Sequence, residues 1–268
     1  MIMSEKELLS TRCDEQRVLE LAMEMGQILL QSGAEIFRVE DTMRRVCTHF
    51  QVDTCNFFVT GNGIISSTNA PEHSSANVRY IPVRGAQFDR IVAINQLSRE
   101  IADGKWAGID EIERRVQEIK QFPPVPNWLC HIASAMAAAS FCILFGGGVT
   151  DTVTAFIAGY LLYVFLLHPG RHISKIFANI CGGALVTILC LLSYRLGFGQ
   201  NLGHMISGAI LPLVPGVAFT NGIRDIGGGD YLSGTVRLLD AFWTFLCIAI
   251  GVGMVFGFYQ RVTGGSIL

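Results

Sequence analysis

Five apolar runs of membrane-spanning length follow one another in the second half of this chain, and they constrain its fold more than any other feature. They lie at about 127–147 ("NWLCHIASAMAAASFCILFGG"), 150–168, 173–194, 203–223 and 235–259. A helix needs about 20 apolar residues to cross a hydrocarbon core of roughly 30 Å, and each run is of that order. Charge follows the same division. Residues 127–268 hold 6 Lys/Arg and 4 Asp/Glu, whereas residues 1–126 hold 14 and 18. Helices buried in a large soluble protein give such runs singly. Five in succession with short connections give an α-helical integral membrane protein of about five transmembrane helices, spanning 123–268. A small α+β domain, 1–122, precedes it. The seam is the Pro-rich "QFPPVPNW", which cannot continue a helix.

Basic residues in the loops set the expected orientation. Arg171 and Lys175 follow the second run, Arg224 and Arg237 follow the fourth, and Arg114, Arg115 and Lys120 precede the first. The expectation is a multi-pass protein of the cell membrane, with a cytoplasmic N-terminal domain and a short C-terminal tail outside. "MIMSEKELLSTRCDEQR" lacks the apolar core of a signal peptide. The eight cysteines include no CxxC pair and read as reduced thiols. With a net charge of −2 and no basic stripe, the chain offers nothing to nucleic acid.

In the N-terminal half, Val18, Leu21, Met25, Ile28 and Leu29 mark an amphipathic helix that stops at Gly33. Ile36, Val39, Met43, Val46 and Phe50 mark a second. "TCNFFVTGNGIISST" reads as a β-hairpin turning at Gly61-Asn62-Gly63, and "SANVRYIPV" as a further strand. Helices are expected near 87–103 and 109–121, the latter with acidic residues in its first turn.

Three stretches carry a resemblance: "LLQSGAEIFRVEDTMRRV", "SSTNAPEHSSANVRYIPVRG" and "LPLVPGVAFTNGIRDIGGGDYLSGTVR". They resemble the threonine/serine exporter family of bacteria, and in particular its large split subunit, over about residues 14–259. The resemblance implies an exporter subunit, not an enzyme, working with a small all-membrane subunit of the same family. It implies a small carboxylate substrate, either threonine and serine or a dicarboxylate such as succinate. No cofactor or metal is implied.

The stretch 211–234 is unusual for a membrane run, because prolines, glycines and charged residues interrupt it. Pro212 and Pro215 each remove a backbone donor, and Gly216 relaxes the chain further. Irregular backbone at membrane depth is tolerated inside protein or along a wet cavity, and transporters place substrates at such broken helices. The candidate substrate-binding residues are therefore Pro212, Pro215, Gly216, Asn221 and Arg224. The break is expected to leave backbone donors free, with the Asn221 amide and the Arg224 fork meeting a carboxylate. Ionisable residues in or near spans are usually functional, so Asp225, Asp230 and Asp240 are candidates for proton coupling. Solvation at an interface is a sufficient reading of Asp225 and Asp230, and pairing with Arg237 is an alternative for Asp240. Asp151 reads as a charge at a helix N-terminus. His131, His168, His172 and His204 read as solvated interfacial side chains. Glycine-rich faces near 179–184 and 251–257 permit close helix packing.

In the soluble half, Ser32, Glu35, Arg38 and Glu40 are candidates for a regulatory pocket. Asn69, Glu72 and His73, with Cys47, outline a conceivable nucleophile–base pair. No nucleophile elbow, metal spacing or GxxxxGK[ST] phosphate loop is present. A membrane-anchored ligand sensor and a membrane-embedded hydrolase are the alternatives to the exporter.

Overall fold

Burial on nearly every side distinguishes the first helix from an ordinary amphipathic one. In α1 (Glu5–Gln31) the expected stripe of Val18, Leu21, Met25, Ile28 and Leu29 is buried, and so are Leu19, Ala22, Met23 and Leu30. The structure is a computed structural model that describes residues 5–52, 55–70, 73–82, 85–106 and 108–263, without the side chains of 5–14, 68–70 and 73–75. The chain forms two compact units. One comprises Met1–Pro123 with Val217–Leu238, the other Pro124–Gly216 with Leu239–Leu268.

The first unit builds its core around α1. Helix α2 (Ile36–His49) buries Ile36, Val39, Met43 and Val46 at i, i+3 and i+4 spacing. It packs so closely on α1 that a Cβ at Gly26 would lie 2.4 Å from Met43 Sδ. Strands β1 (Cys55–Thr60), β2 (Gly63–Ala70) and β3 (His73–Tyr80) form an antiparallel sheet in sequence order. Thr60 pairs with Gly63, so the expected turn is made by Gly61 and Asn62 alone, with Gly63 already in the strand. Helices α3 (Phe88–Ala102) and α4 (Ile109–Lys120) complete the N-terminal part. Ile112, Val116 and Ile119 bury one face of α4. Arg17 ties its other side to α1 through a two-pronged contact with Glu113 (2.8 and 2.7 Å). Residues 217–238 then add α9 (Gly216–Gly227) and the first turns of α10 (Tyr231–Thr263).

The second unit contains α5 (Asn127–Leu144), α6 (Val149–Leu167), α7 (Lys175–Arg195), α8 (Leu202–Ala209) and the rest of α10. Small residues set its packing. A Cβ at Gly159 would meet Ala138 Cβ at 2.5 Å, and one at Gly208 would meet Ala138 O at 2.7 Å. The glycine faces named above meet within the chain, where a Cβ at Gly183 would lie 2.8 Å from Ile248 O. Among the described residues, four helices are long and apolar enough to cross a membrane: α5, α6 with the turn after it, α7 and α10. The fourth expected run is not one helix. It breaks into α8, a 3-10 turn over Leu211–Leu213, and α9, so the count is five only if the broken pair forms one span. Trp128, Leu144, Val149, Phe177, Phe242 and Phe258 are exposed, as lipid contact requires.

Asp151 sits in the first turn of α6, as expected of a charge at a helix N-terminus, and gains further partners there, whereas the reading of His131 changes. Asp151 is 1 % exposed and accepts from the backbone N–H groups of Gln200 (2.6 Å), Asn201 (3.2 Å) and Gly148 (3.1 Å). It staples two loops together, because buried N–H donors need an acceptor. His131 is buried, packs against Tyr160 and Tyr163, and contacts its own helix at Asn127 O. It is not a solvated interfacial group.

Candidate functional site

The site in the first unit is built on the turn between α1 and α2. Gly33 has φ +78, the left-handed conformation that favours glycine. Its N–H closes on Leu30 O, and that of Ala34 on Leu29 O. This reversal turns the carbonyls of Gly33 and Ala34 outward, and it leaves the Ile36 N–H unpaired at the start of α2. Residues 217–238 supply a partner for each. Asn221 Nδ2 donates to Gly33 O (2.8 Å), Arg237 donates to Ala34 O (2.9 Å), and Asp225 Oδ1 accepts from Ile36 N (3.0 Å). Arg224 donates to the Glu35 carboxylate. The sequences "SGAEIFR" and "TNGIRDIGGGDYLSGTVR" thus meet, 188 or more positions apart.

Asp225 and Arg237 hold the centre of this clasp. Their side chains are 1 % and 12 % exposed and approach to 2.9 Å. The contact is electrostatic without a well-aligned hydrogen bond between those two atoms. Arg224 differs, with a side chain 66 % exposed and open to solvent. Glycines let α9 and α10 approach: a Cβ at Gly234 would lie 2.8 Å from Gly222 O and 2.6 Å from Ile226 Cγ1.

Beside the clasp is a cavity of about 290 Å³, lined by Phe37, Glu40, Phe58, Asp225 and Asp230 among others. Asp230 Oδ1 also accepts from Ser233 N (3.2 Å) and caps α10. Glu40 accepts from Val59 N (3.3 Å), and burial holds its carboxyl above the ordinary value.

The candidate residues fall into two sets. Asn221, Arg224, Asp225 and Asp230 belong to the first unit. Pro212, Pro215, Gly216 and Asp240 belong to the second. Pro212 lies in the 3-10 turn, and Pro215 directly precedes α9. The expected free donors are in part used locally, since Leu213, Val214 and Gly216 donate to Ile210, Leu211 and Val214 carbonyls. A 3-10 turn satisfies groups that a broken α-helix would orphan. Asp240 pairs with Lys175 (2.6 Å), both exposed, and not with Arg237, which is committed to Asp225. Glu35 lies 3.8 Å from Arg38, and its stronger contact is Arg224. In sequence Arg237 is a loop charge and a conceivable partner of Asp240, not a site residue. A lone arginine just inside an apolar run was its signal. Cys47 is buried, and its hydrogen bond with Cys55, with burial, pushes its thiol up, the reverse of an activated nucleophile. Glu72 and the side chains of Asn69 and His73 lie outside the described residues, as does the side chain of Cys13.

Residues 20–259 match the family described as "Putative threonine/serine exporter". A probable threonine/serine exporter of Mycobacterium tuberculosis is 24% identical, over 88% of this chain and 45% of its own length. The probable succinate transporter subunit YjjP of Klebsiella aerogenes is 26% identical, over 91% of this chain and 94% of its own. The threonine/serine exporter of Corynebacterium glutamicum is 24% identical, over 88% and 50%. The chain therefore spans about half of the two exporters and nearly all of the transporter subunit. No solved structure matches it.

Proposed function

The chain belongs to the threonine/serine exporter family, a family of membrane transporters rather than enzymes, and from that premise we propose that it is the large subunit of a two-subunit exporter. It would move a small carboxylate metabolite outward across the cell membrane, driven by the proton gradient. Its partner would be a small all-membrane subunit of the same family, corresponding to the part of the longer exporters that the match does not cover. The N-terminal unit would face the cytoplasm.

The observation that carries this reading is the interrupted fourth run, followed in sequence by an exposed, carboxylate-bound arginine. Pro212, Pro215 and Gly216 end one helical segment and start another, the pattern by which transporters open a path. Arg224 already holds a carboxylate, that of Glu35. We assign Glu35 the part of a place-holder, which a substrate carboxylate displaces, with the Asn221 amide nearby on α9. Of the three candidate aspartates, Asp225 and Asp240 are neutralised by Arg237 and Lys175. Asp230, sharing its cavity with Glu40, is the one we assign to proton coupling.

The test is export of threonine, serine and succinate from cells expressing the chain with and without a candidate partner. Flux should need both chains. Replacing Pro215 and Gly216 by Ala should then abolish it while insertion persists, since Ala is about 3 kcal/mol better than Pro and about 1 kcal/mol better than Gly within a helix. Wild-type flux from the double-alanine variant would make the break a packing kink.

A further inference from the structure

A second cleft, sharing only Glu35 with the clasp, lies between α2 and α3. It encloses about 150 Å³, below the roughly 300–1,000 Å³ of pockets for drug-sized ligands. That size suits a small metabolite. Arg38, Asp41 and Arg45 reach it from α2 at i, i+3 and i+7, and Asn95 and Arg99 reach it from α3 at i and i+4.

The charges in the cleft do not balance locally. Arg45 is satisfied by Asp41 and by Ser98 Oγ (3.2 Å). Glu35, which also lines the cleft, is committed to Arg224. Arg38 stands 3.8 Å from Glu35, beyond hydrogen-bond distance. Arg99 has no side-chain hydrogen bond or ion pair among the described residues. Two guanidinium forks therefore face one small cleft, Arg99 with its donors unused and Arg38 with only a long ion pair to Glu35, and the Asn95 amide lies one helical turn from Arg99. Planar forks match carboxylate geometry better than a point charge would.

We propose that this cleft binds a small carboxylate anion, with Arg38 and Arg99 gripping the carboxylate and Asn95 supplying a further donor. A dicarboxylate and an amino acid share the group recognised. The inference goes beyond the exporter reading, because it gives the N-terminal unit a ligand of its own. Since Glu35 forms part of the wall and also holds Arg224, an anion here would act on the charge that sets the clasp.

Equilibrium binding tests it without any flux, so its outcome is separable from that of the transport proposal. The purified full-length chain is titrated calorimetrically with sodium succinate, L-threonine and inorganic phosphate. Saturable binding of succinate or threonine is expected, and the tighter of the two identifies the source. Arg38→Gln with Arg99→Gln should weaken it by roughly tenfold or more, because two charge-assisted contacts are lost. Arg115→Gln, which removes only a surface pair with Glu118, should leave it unchanged and controls for net charge. Three results would each overturn the proposal: no saturable binding of either carboxylate, equal affinity in the double variant, or phosphate bound as tightly as the carboxylates.

Discussion

Asp225 shows how far a residue's chemistry depends on what folds onto it. In sequence it sits in a polar, glycine-rich stretch, where solvation explains it. In the structure it is buried between Arg237 and the first N–H of α2. Removing one member of a buried pair strands the other charge and costs about 3–5 kcal/mol. Asp225→Ala should therefore lower the melting temperature strongly. Adding Arg237→Ala should recover part of the loss, because the stranded charge goes with it. Losses that simply add would mean that the pair is not coupled. Glu40 gives a pH-dependent counterpart. Burial raises its carboxyl above the ordinary value of 4.5. Its favourable contribution is thus complete below that ordinary value and is lost as pH rises through the raised one. Glu40→Gln keeps an acceptor for Val59 N–H and removes the buried charge. It should raise the melting temperature at about pH 7 and leave it unaltered near pH 4. An equal shift at both would refute the electrostatic origin. Neither Glu40's burial nor Asp225's partners were legible beforehand, since both depend on contacts across long stretches of sequence.

The elements themselves were more legible, for local reasons. Apolar spacing located α2 and α4 to within a residue or two, and Gly61-Asn62 located the hairpin. These signals act within one turn or one strand pair. The return of residues 217–238 to the N-terminal unit left no comparable trace. Periodicity reports that a face is buried but not what buries it. Glycines carry what signal there is, and they are not equivalent. A side chain at Gly234 would strike the Gly222 carbonyl and Ile226, whereas one at Gly216 would meet nothing within 4 Å. Gly234→Ala should part α9 from α10 and cost about 1–3 kcal/mol, as overpacking does. Gly216→Ala should be neutral in thermal stability. Comparable melting temperatures for the two variants would show that the close approach at Gly222 and Gly234 is not a constraint.

The molecule as a whole is constrained by parity. Residues 217–238 share a compact unit with the N-terminal domain, and under the proposed reading that unit would face water on one side of the membrane. Between residues 123 and 217 the chain would then cross an even number of times. Helices α5, α6 and α7 each have the length and apolarity for one crossing, which gives three. The segment Leu202–Leu213 has to supply the fourth. As twelve residues at 1.5 Å each it covers only about 18 Å, short of a roughly 30 Å core. The crossing must be completed through or beside the break, where Val214 and Pro215 interrupt the helix. On the same proposal the remainder of α10 would cross once more. Arg171, Lys175, Arg224 and Arg237 would all lie on the N-terminal side, as the positive-inside tendency requires of a cytoplasmic face. A periplasm-active reporter fused after Leu268 should be active, and one inserted between Gly228 and Gly229 should be silent. If instead the insertion between Gly228 and Gly229 is active and the fusion after Leu268 is silent, the segment from Leu202 to Leu213 does not cross. The break would then be a re-entrant loop and the span count four.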